Sequence, residues 1–198
     1  MPNASQGGFR YKRSLSGATG PTIKLYNVAT ADATAIFTGD AVKLNSSGYA
    51  SAVTAAGDTN IVGVMDGVEQ YWDGENMRKG RYLPAATAYG TNLSRTSVIR
   101  VIEAVDAVFE VDANDGVTAT TEAAHRAFIG ENASIAFVAG NTGTGQSEQA
   151  LAISTHVATA LQCRILNLAS RPDGQDFAAS RVKYDIKFHQ THLAGAGV

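Results

Sequence analysis

The sequence predicts a mainly β protein: an antiparallel β-barrel or sandwich with one short helix and an extended N-terminal arm. The chain contains 33 Ala, 20 Gly and 18 Thr but only 6 Lys and 7 Glu, so helix-favouring charged residues are scarce. Turn signals recur at short spacing, which is typical of a sheet protein with many short strands. A length of 198 residues fits one domain of about 150 residues plus an arm.

Residues 1–22 are predicted to form the extended arm, and residues 23–198 a single β-rich domain that folds without residues 1–20. The first 31 residues contain four basic residues and no acidic one. We expect an acidic surface of a partner to bind this arm, and a solvated terminus is the alternative. The arm residues expected to contact the partner are Phe9, Arg10, Tyr11, Lys12 and Arg13.

Apolar segments between turn signals predict the strands of the first half of the domain. Ile23–Val28 is the first strand. Ala41–Leu44 and Tyr49–Val53 flank an Asn-Ser-Ser-Gly turn and predict a hairpin. Ile61–Tyr71 contains Gly63 and Gly67, which predict a long strand with bulges or a bend.

The second half contains more strands and the one helix. The strand candidates are Arg81–Leu83, Val98–Glu103, Ala107–Val111, Leu151–Thr155, Leu161–Ala169 and Val182–His189. The last of these alternates strictly, which predicts one apolar and one polar face and pairing with the strand before it. Thr120–Ile129 predicts a short helix with a threonine cap and Gly130 as terminator.

Charge and cysteine content exclude several classes of protein. Sixteen basic and eighteen acidic residues give a net charge of -2, which disfavours a nucleic-acid-binding surface. The single Cys163 excludes an intramolecular disulfide or a thiolate metal cluster, and it lies in an apolar strand pattern where an inert thiol is expected. No secretory signal or membrane-spanning segment is visible, so we expect synthesis in the cytosol and no membrane partner.

No motif predicts an enzyme, a cofactor site or a metal site. The loop Gly140–Gln146 contains three glycines but lacks the Lys-Ser/Thr of a phosphate loop. The chain also lacks a Gly-x-Ser-x-Gly elbow. Tyr71 and Trp72 precede an Asp-Gly turn and are candidates for a glycan contact, and an aromatic corner over the core is the alternative.

Several segments resemble a family of tailed-bacteriophage virion proteins. Gly8-Phe9-Arg10 resembles the family's GFR start, and Ala31–Leu44 resembles its ATAIFTGDxVKL segment. Further similar segments are Ile61–Val64, Asp106–Val111, Ile165–Leu168 and Val182–His189. The family's Arg-Pro-Val-Arg is replaced here by Arg-Tyr-Lys-Arg at residues 10–13, and residues 71–80 form a polar, aromatic insert.

This resemblance implies a capsid decoration (cement) or minor capsid protein without enzymatic activity. Such a protein would bind the major capsid protein on the outer surface of an icosahedral shell and clamp neighbouring capsomers. It would be a homo-oligomer, a trimer or a dimer, and would lie on the capsid surface of the virion after synthesis in the host cytoplasm. A head-fibre or host-contact module that binds surface glycans is the alternative function.

Overall fold

The structure is a computed structural model that describes residues 7–85, 97–114, 119–170, 174–178, 181–189 and 191. Within these residues, 14 strands and one short helix form two six-stranded sheets and a two-stranded ribbon. The mainly β fold class is therefore confirmed. The first six residues of the predicted arm lie outside the described residues.

The first sheet is antiparallel throughout. Its strands, in spatial order, are β1 (Arg10–Ser14), β10 (Ala107–Asp112), β14 (Lys183–Phe188), β13 (Cys163–Leu168), β11 (Asn132–Ala136) and β12 (Ala150–Val157). The pairing of β13 with β14 confirms the neighbour relation expected from the sequence. The N-terminal strand β1 lies at one edge of this sheet, so the predicted arm is extended but rests on the body.

The second sheet closes into a barrel. Its strands, in spatial order, are β4 (Ala41–Leu44), β5 (Ala50–Ala52), β2 (Ile23–Val28), β9 (Ser97–Glu103), β6 (Ile61–Trp72) and β7 (Met77–Gly80). An additional β4–β6 pairing closes the first five of these strands into a ring. The β2–β5 contact is parallel and consists of one residue pair, Val28 with Ala50, so the barrel wall is thinnest there. Strands β3 (Ile36–Phe37) and β8 (Tyr82–Leu83) form the ribbon.

Gly63 shows why the long strand β6 needs a glycine. The β4–β5 hairpin and the bulged β6 both form as predicted, with register shifts between Met65 and Gly67 and again further along. At Gly63 the backbone approaches β9 so closely that a Cβ would overlap the carbonyl group of Ile102. A residue with a side chain would force the two strands apart, so the contact requires glycine.

The helix and the last strand differ from the sequence prediction. The helix α1 spans only Glu122–Arg126, capped by the Thr121 side chain, which accepts the Ala124 N–H at 3.3 Å. The last strand β14 alternates as predicted, but its polar residues Lys183 and Asp185 are buried and not solvated. It is an inner strand of the first sheet, where charged side chains are covered by neighbours on both sides.

Two hydrophobic clusters fill the described structure. One occupies the barrel interior, and the other lies between the first sheet and barrel residues such as Val64 and Ile102. Two buried glutamine side chains join the halves. Gln149 accepts the Ala41 N–H at 2.8 Å and donates to the Val53 carbonyl at 3.0 Å. The Gln162 side chain likewise accepts an N–H of β11 and donates to carbonyls of the 55–58 loop. These satisfied amides fix how the sheet sits on the barrel.

Candidate functional site

Phe9 is a core residue, although the sequence pattern places it among the partner-binding residues of the arm. Its side chain is 2% exposed, and its ring lies 5.2 Å from that of Phe188. Its N–H donates to the carbonyl of Gly39 at 2.9 Å. Removing residues 1–20 would therefore expose the hydrophobic core as well as remove the basic arm. A loss of partner binding in that truncated chain could then result from unfolding as well as from the missing arm.

The basic residues of β1 meet acidic groups of the same chain. Lys12 forms an ion pair with Asp185 at 2.8 Å, and Arg10 lies directly opposite Glu110 in the strand register. Arg13 is exposed, and no ion pair forms at it within the described residues. The acidic surface expected on a partner is thus partly supplied by the chain itself, and Arg13 is the cation of β1 best placed to contact another molecule.

Tyr11 contributes mainly to packing. It is half-buried, and its ring meets the edge of Phe109 with centroids 6.5 Å apart and an interplanar angle of 79°. An edge-to-face pair of this kind is a stable aromatic arrangement. This contact of Tyr11 with Phe109 helps to hold β1 at the edge of the sheet.

Tyr71 and Trp72, the candidates for a glycan contact, lie at the end of β6. They line a depression whose other walls are residues of the 28–34 segment together with Leu83, Pro84 and Ser97. The depression has a volume of about 10 Å³, room for about one water molecule. Both aromatic residues are half-buried. That volume is too small to enclose a sugar ring.

A buried carboxyl group lies where the N-terminal segment, the β3–β4 turn and the 141–149 loop meet. The Oδ2 of Asp40 accepts the Phe37 N–H at 2.7 Å. Its Oδ1 has no partner of hydrogen-bonding geometry among the described residues, although the Ser147 hydroxyl lies close by. Burial raises the pKa of Asp40 to about 6, against the opposing effects of the nearby Ser147 hydroxyl and of the Phe37 N–H.

Glycines make this junction tight. A Cβ at Gly8, which has a φ of +73°, would lie 2.6 Å from the Ser147 Cβ. Gly39, with a φ of +95°, accepts the Phe9 N–H and donates to the Met65 carbonyl. In the sequence, Gly39 and Asp40 together predict a turn between two apolar segments, but no local pattern indicates that the Asp40 carboxyl group is buried.

Two further polar groups are structural. His125 is 2% exposed; its Nδ1 lies 2.5 Å from the Tyr184 hydroxyl and its Nε2 lies 3.1 Å from the Phe177 carbonyl. Because a carbonyl only accepts, Nε2 carries the proton and Tyr184 donates to Nδ1. Lys183 and Asp112 form a buried ion pair across β14 and β10.

The described residues contain no cluster of three or more histidine, cysteine or acidic side chains that could hold a metal ion. Cys163 is buried, and burial raises the pKa of its thiol, which keeps it protonated and unreactive. No helix in the part of the chain that the structure describes is long and apolar enough to cross a membrane.

Several large apolar side chains are exposed, two of them on β2. Among the described large hydrophobic residues, Leu25 is 61% exposed, Val105 52%, Ile23 47% and Leu15 46%. Beside β2 the barrel wall has a gap of about 230 Å³, lined by Tyr26, Leu44 and neighbouring residues. Lys24 spans its rim and pairs with Glu103 at 2.7 Å. The structure thus has exposed surfaces suited to protein contacts at β1 and β2.

Comparisons of the chain with models of known protein families, with curated proteins and with solved structures found no match. The fold defines a β-rich protein with a closed five-stranded barrel.

Proposed function

We propose that this chain is a capsid decoration protein of a tailed bacteriophage, which binds the major capsid protein on the outer surface of the shell and clamps neighbouring capsomers. The proposal comes from the segments that resemble that family, and one contact in the structure supports it. Gly8 and Phe9 of the GFR segment pack against Gly39 of the FTGD segment. The two segments that carry the resemblance therefore form one junction, at which close backbone approach requires the glycines.

The surface chemistry suits a protein that acts by adhesion. A decoration protein needs exposed strand edges and apolar residues that other subunits can cover. The β1 edge carries the exposed Arg13, and β2 carries the exposed apolar side chains of Ile23 and Leu25. Repeated attachment around a shell makes weak individual contacts strong in sum.

The test uses the full-length chain and undecorated shells of the phage that encodes it. We expect the chain to co-sediment with the shells and to raise the temperature at which they release DNA. Arg13→Glu should weaken binding several-fold, because a rim charge on β1 is reversed. Arg126→Glu is the matched control, since it reverses an exposed arginine on α1 whose surface ion pair with Glu122 contributes little to stability.

Shells that gain neither bound chain nor thermal resistance would refute the proposed function. Equal loss of binding in both charge-reversal variants would refute the role of β1 alone. If the chain binds shells and also binds glycans on an array, and Trp72→Ala abolishes only the glycan binding, the host-contact function is added to the proposal.

A further inference from the structure

Strand β2 is paired on one side along its whole length and almost unpaired on the other. Its six residues pair in unbroken register with β9, from Ile23 opposite Ile102 to Val28 opposite Ser97. On its other side, the single bridge between Val28 and Ala50 is the only strand pairing within the described residues. Among the residues that the structure describes, no strand therefore neighbours this edge of residues 23–26.

The hydrogen-bonding pattern shows which backbone groups face that edge. The Glu103 N–H donates to the Thr22 carbonyl at 2.9 Å, so Thr22 and Glu103 form a hydrogen-bonded pair. In an antiparallel ladder such pairs alternate with non-bonded ones. The N–H and C=O groups of Ile23 and Leu25 consequently point away from β9, toward the open edge.

Strand β2 itself contains no bulge and no proline, and its one charged residue, Lys24, pairs with Glu103 of the same chain at 2.7 Å. Edge strands are usually protected by charges, bulges or proline. Strand β1 has such protection, with a register shift between Tyr11 and Arg13 and three cations in five residues. Strand β2 is regular and presents Ile23 and Leu25, which are 47% and 61% exposed.

We propose that a second copy of this chain binds along the β2 edge, in antiparallel pairing about a twofold axis at Ile23. In this register Ile23 lies opposite Ile23 of the second copy, Lys24 opposite Thr22, and Leu25 opposite Pro21. The Ile23 and Leu25 N–H groups donate to the Ile23 and Pro21 carbonyls of the other copy. Because Pro21 has no N–H, each copy lacks the hydrogen bond that this position would otherwise donate to the Leu25 carbonyl of the other copy.

Charge and space favour this register over the alternatives. No like charges oppose each other, whereas self-pairing of β1 would bring the three cations of one copy, Arg10, Lys12 and Arg13, close to the same three of the other. A register centred on Leu25 would place Ile23 of the second copy opposite Asn27. Asn27 is next to Val28, which already pairs with Ala50 of β5, so a second copy in that register would meet β5.

A twofold strand pairing gives a closed, isologous dimer. The exposed apolar side chains of the two copies would then lie side by side on one continuous sheet face. The proposal is independent of capsid binding, because the tests below use only the purified chain.

The first test is the mass of the purified chain by sedimentation equilibrium. We expect a dimer at micromolar concentration. Ile23→Lys should raise the dissociation constant at least about tenfold, because two lysines then face each other on the axis. Val157→Lys is the control, since Val157 is an exposed apolar residue on β12 and its replacement should leave the dimer unchanged.

The second test fixes the register with cysteines. In the proposed dimer the Cα atoms of two Ile23→Cys residues lie about 5.5 Å apart, a distance that a disulfide spans. Two Leu25→Cys residues lie about four strand positions apart, at least about 13 Å, which is too far. The native Cys163 is buried and does not interfere.

Mild oxidation should therefore convert Ile23→Cys to a covalent dimer and leave Leu25→Cys monomeric. A chain that stays monomeric at 100-fold higher concentration would overturn the proposal. So would a dimer that Ile23→Lys leaves intact, or cross-linking at Leu25→Cys instead of Ile23→Cys. Circular dichroism of each variant checks that it retains the β-rich fold.

Discussion

Replacing Asp40 with asparagine should make the protein more stable at pH 7 than the parent chain. Asp40 is 2% exposed, and burial raises its pKa to about 6 from an ordinary value of 3.8. The folded state therefore holds the proton of Asp40 more tightly than the unfolded state does. Between about pH 4 and pH 6 the folded chain binds more protons, so its stability falls as the pH rises through this window.

The size of the effect follows from the two pKa values. A difference of about 2 units corresponds to about 3 kcal/mol, lost in full above about pH 7. The asparagine oxygen can still accept the Phe37 N–H, and its amide nitrogen replaces the unpartnered Oδ1 beside Ser147. Asp40→Asn should therefore keep the stability that the parent chain loses as the pH rises.

The assay is urea unfolding of the parent chain and of Asp40→Asn at intervals from pH 4 to pH 8. The difference in unfolding free energy between the two proteins isolates Asp40, because groups common to both cancel. It should shift in favour of the variant by up to about 3 kcal/mol on going from pH 4 to pH 8. Parallel stability curves across this range would show that the pKa of Asp40 is the same in the folded and unfolded chains.

Asp58 provides a control of opposite sign. Burial raises its pKa, but the Lys43 ammonium and the N–H groups of Thr54 and Ala55 outweigh this and hold the pKa below its ordinary value. Its contribution is present above the unfolded-state pKa and is lost as the pH falls through the lower folded-state pKa. Asp58→Asn should therefore be less stable than the parent at pH 7, and the deficit should shrink in acid.

Two further substitutions test the packing. Gly63→Ala should destabilise the fold by about 3 kcal/mol or more, because the added Cβ would overlap the Ile102 carbonyl. The control Gly57→Ala places its Cβ in open space and should change stability by less than about 0.5 kcal/mol. Thermal melts followed by circular dichroism compare the two variants, and equal melting temperatures would contradict the close approach at Gly63. Asp112→Ala leaves the Lys183 ammonium buried without its carboxylate and should cost about 3–5 kcal/mol in urea unfolding; a cost under about 1 kcal/mol would show that the pair is solvated.

Much of the secondary structure could be predicted because it depends on local patterns. The β4–β5 hairpin follows from its Asn-Ser-Ser-Gly turn, and the bends of β6 follow from its glycines. The short strand β11 was not predicted, because Asn132–Ala136 contains only one large apolar residue. It forms because β12 and β13 pair with it on both sides.

The candidate interaction surfaces could be predicted only in part. The basic cluster at residues 10–13 was visible in the sequence, but its partners Asp185 and Glu110 are about 100 to 175 residues away along the chain. No local pattern indicates which distant acid will lie opposite a given base. The open edge of β2 was equally hidden, since it results from the barrel closing through one residue pair.

Short strands and the lack of an intramolecular disulfide follow from the amino-acid sequence alone, because turn residues and apolar alternation act locally and the chain has a single cysteine. The burial of Phe9 and Asp40 and, among the described residues, the open edge of β2 do not follow from any local pattern. Burial and strand pairing depend on segments far apart in the chain, which meet only when the sheet packs on the barrel.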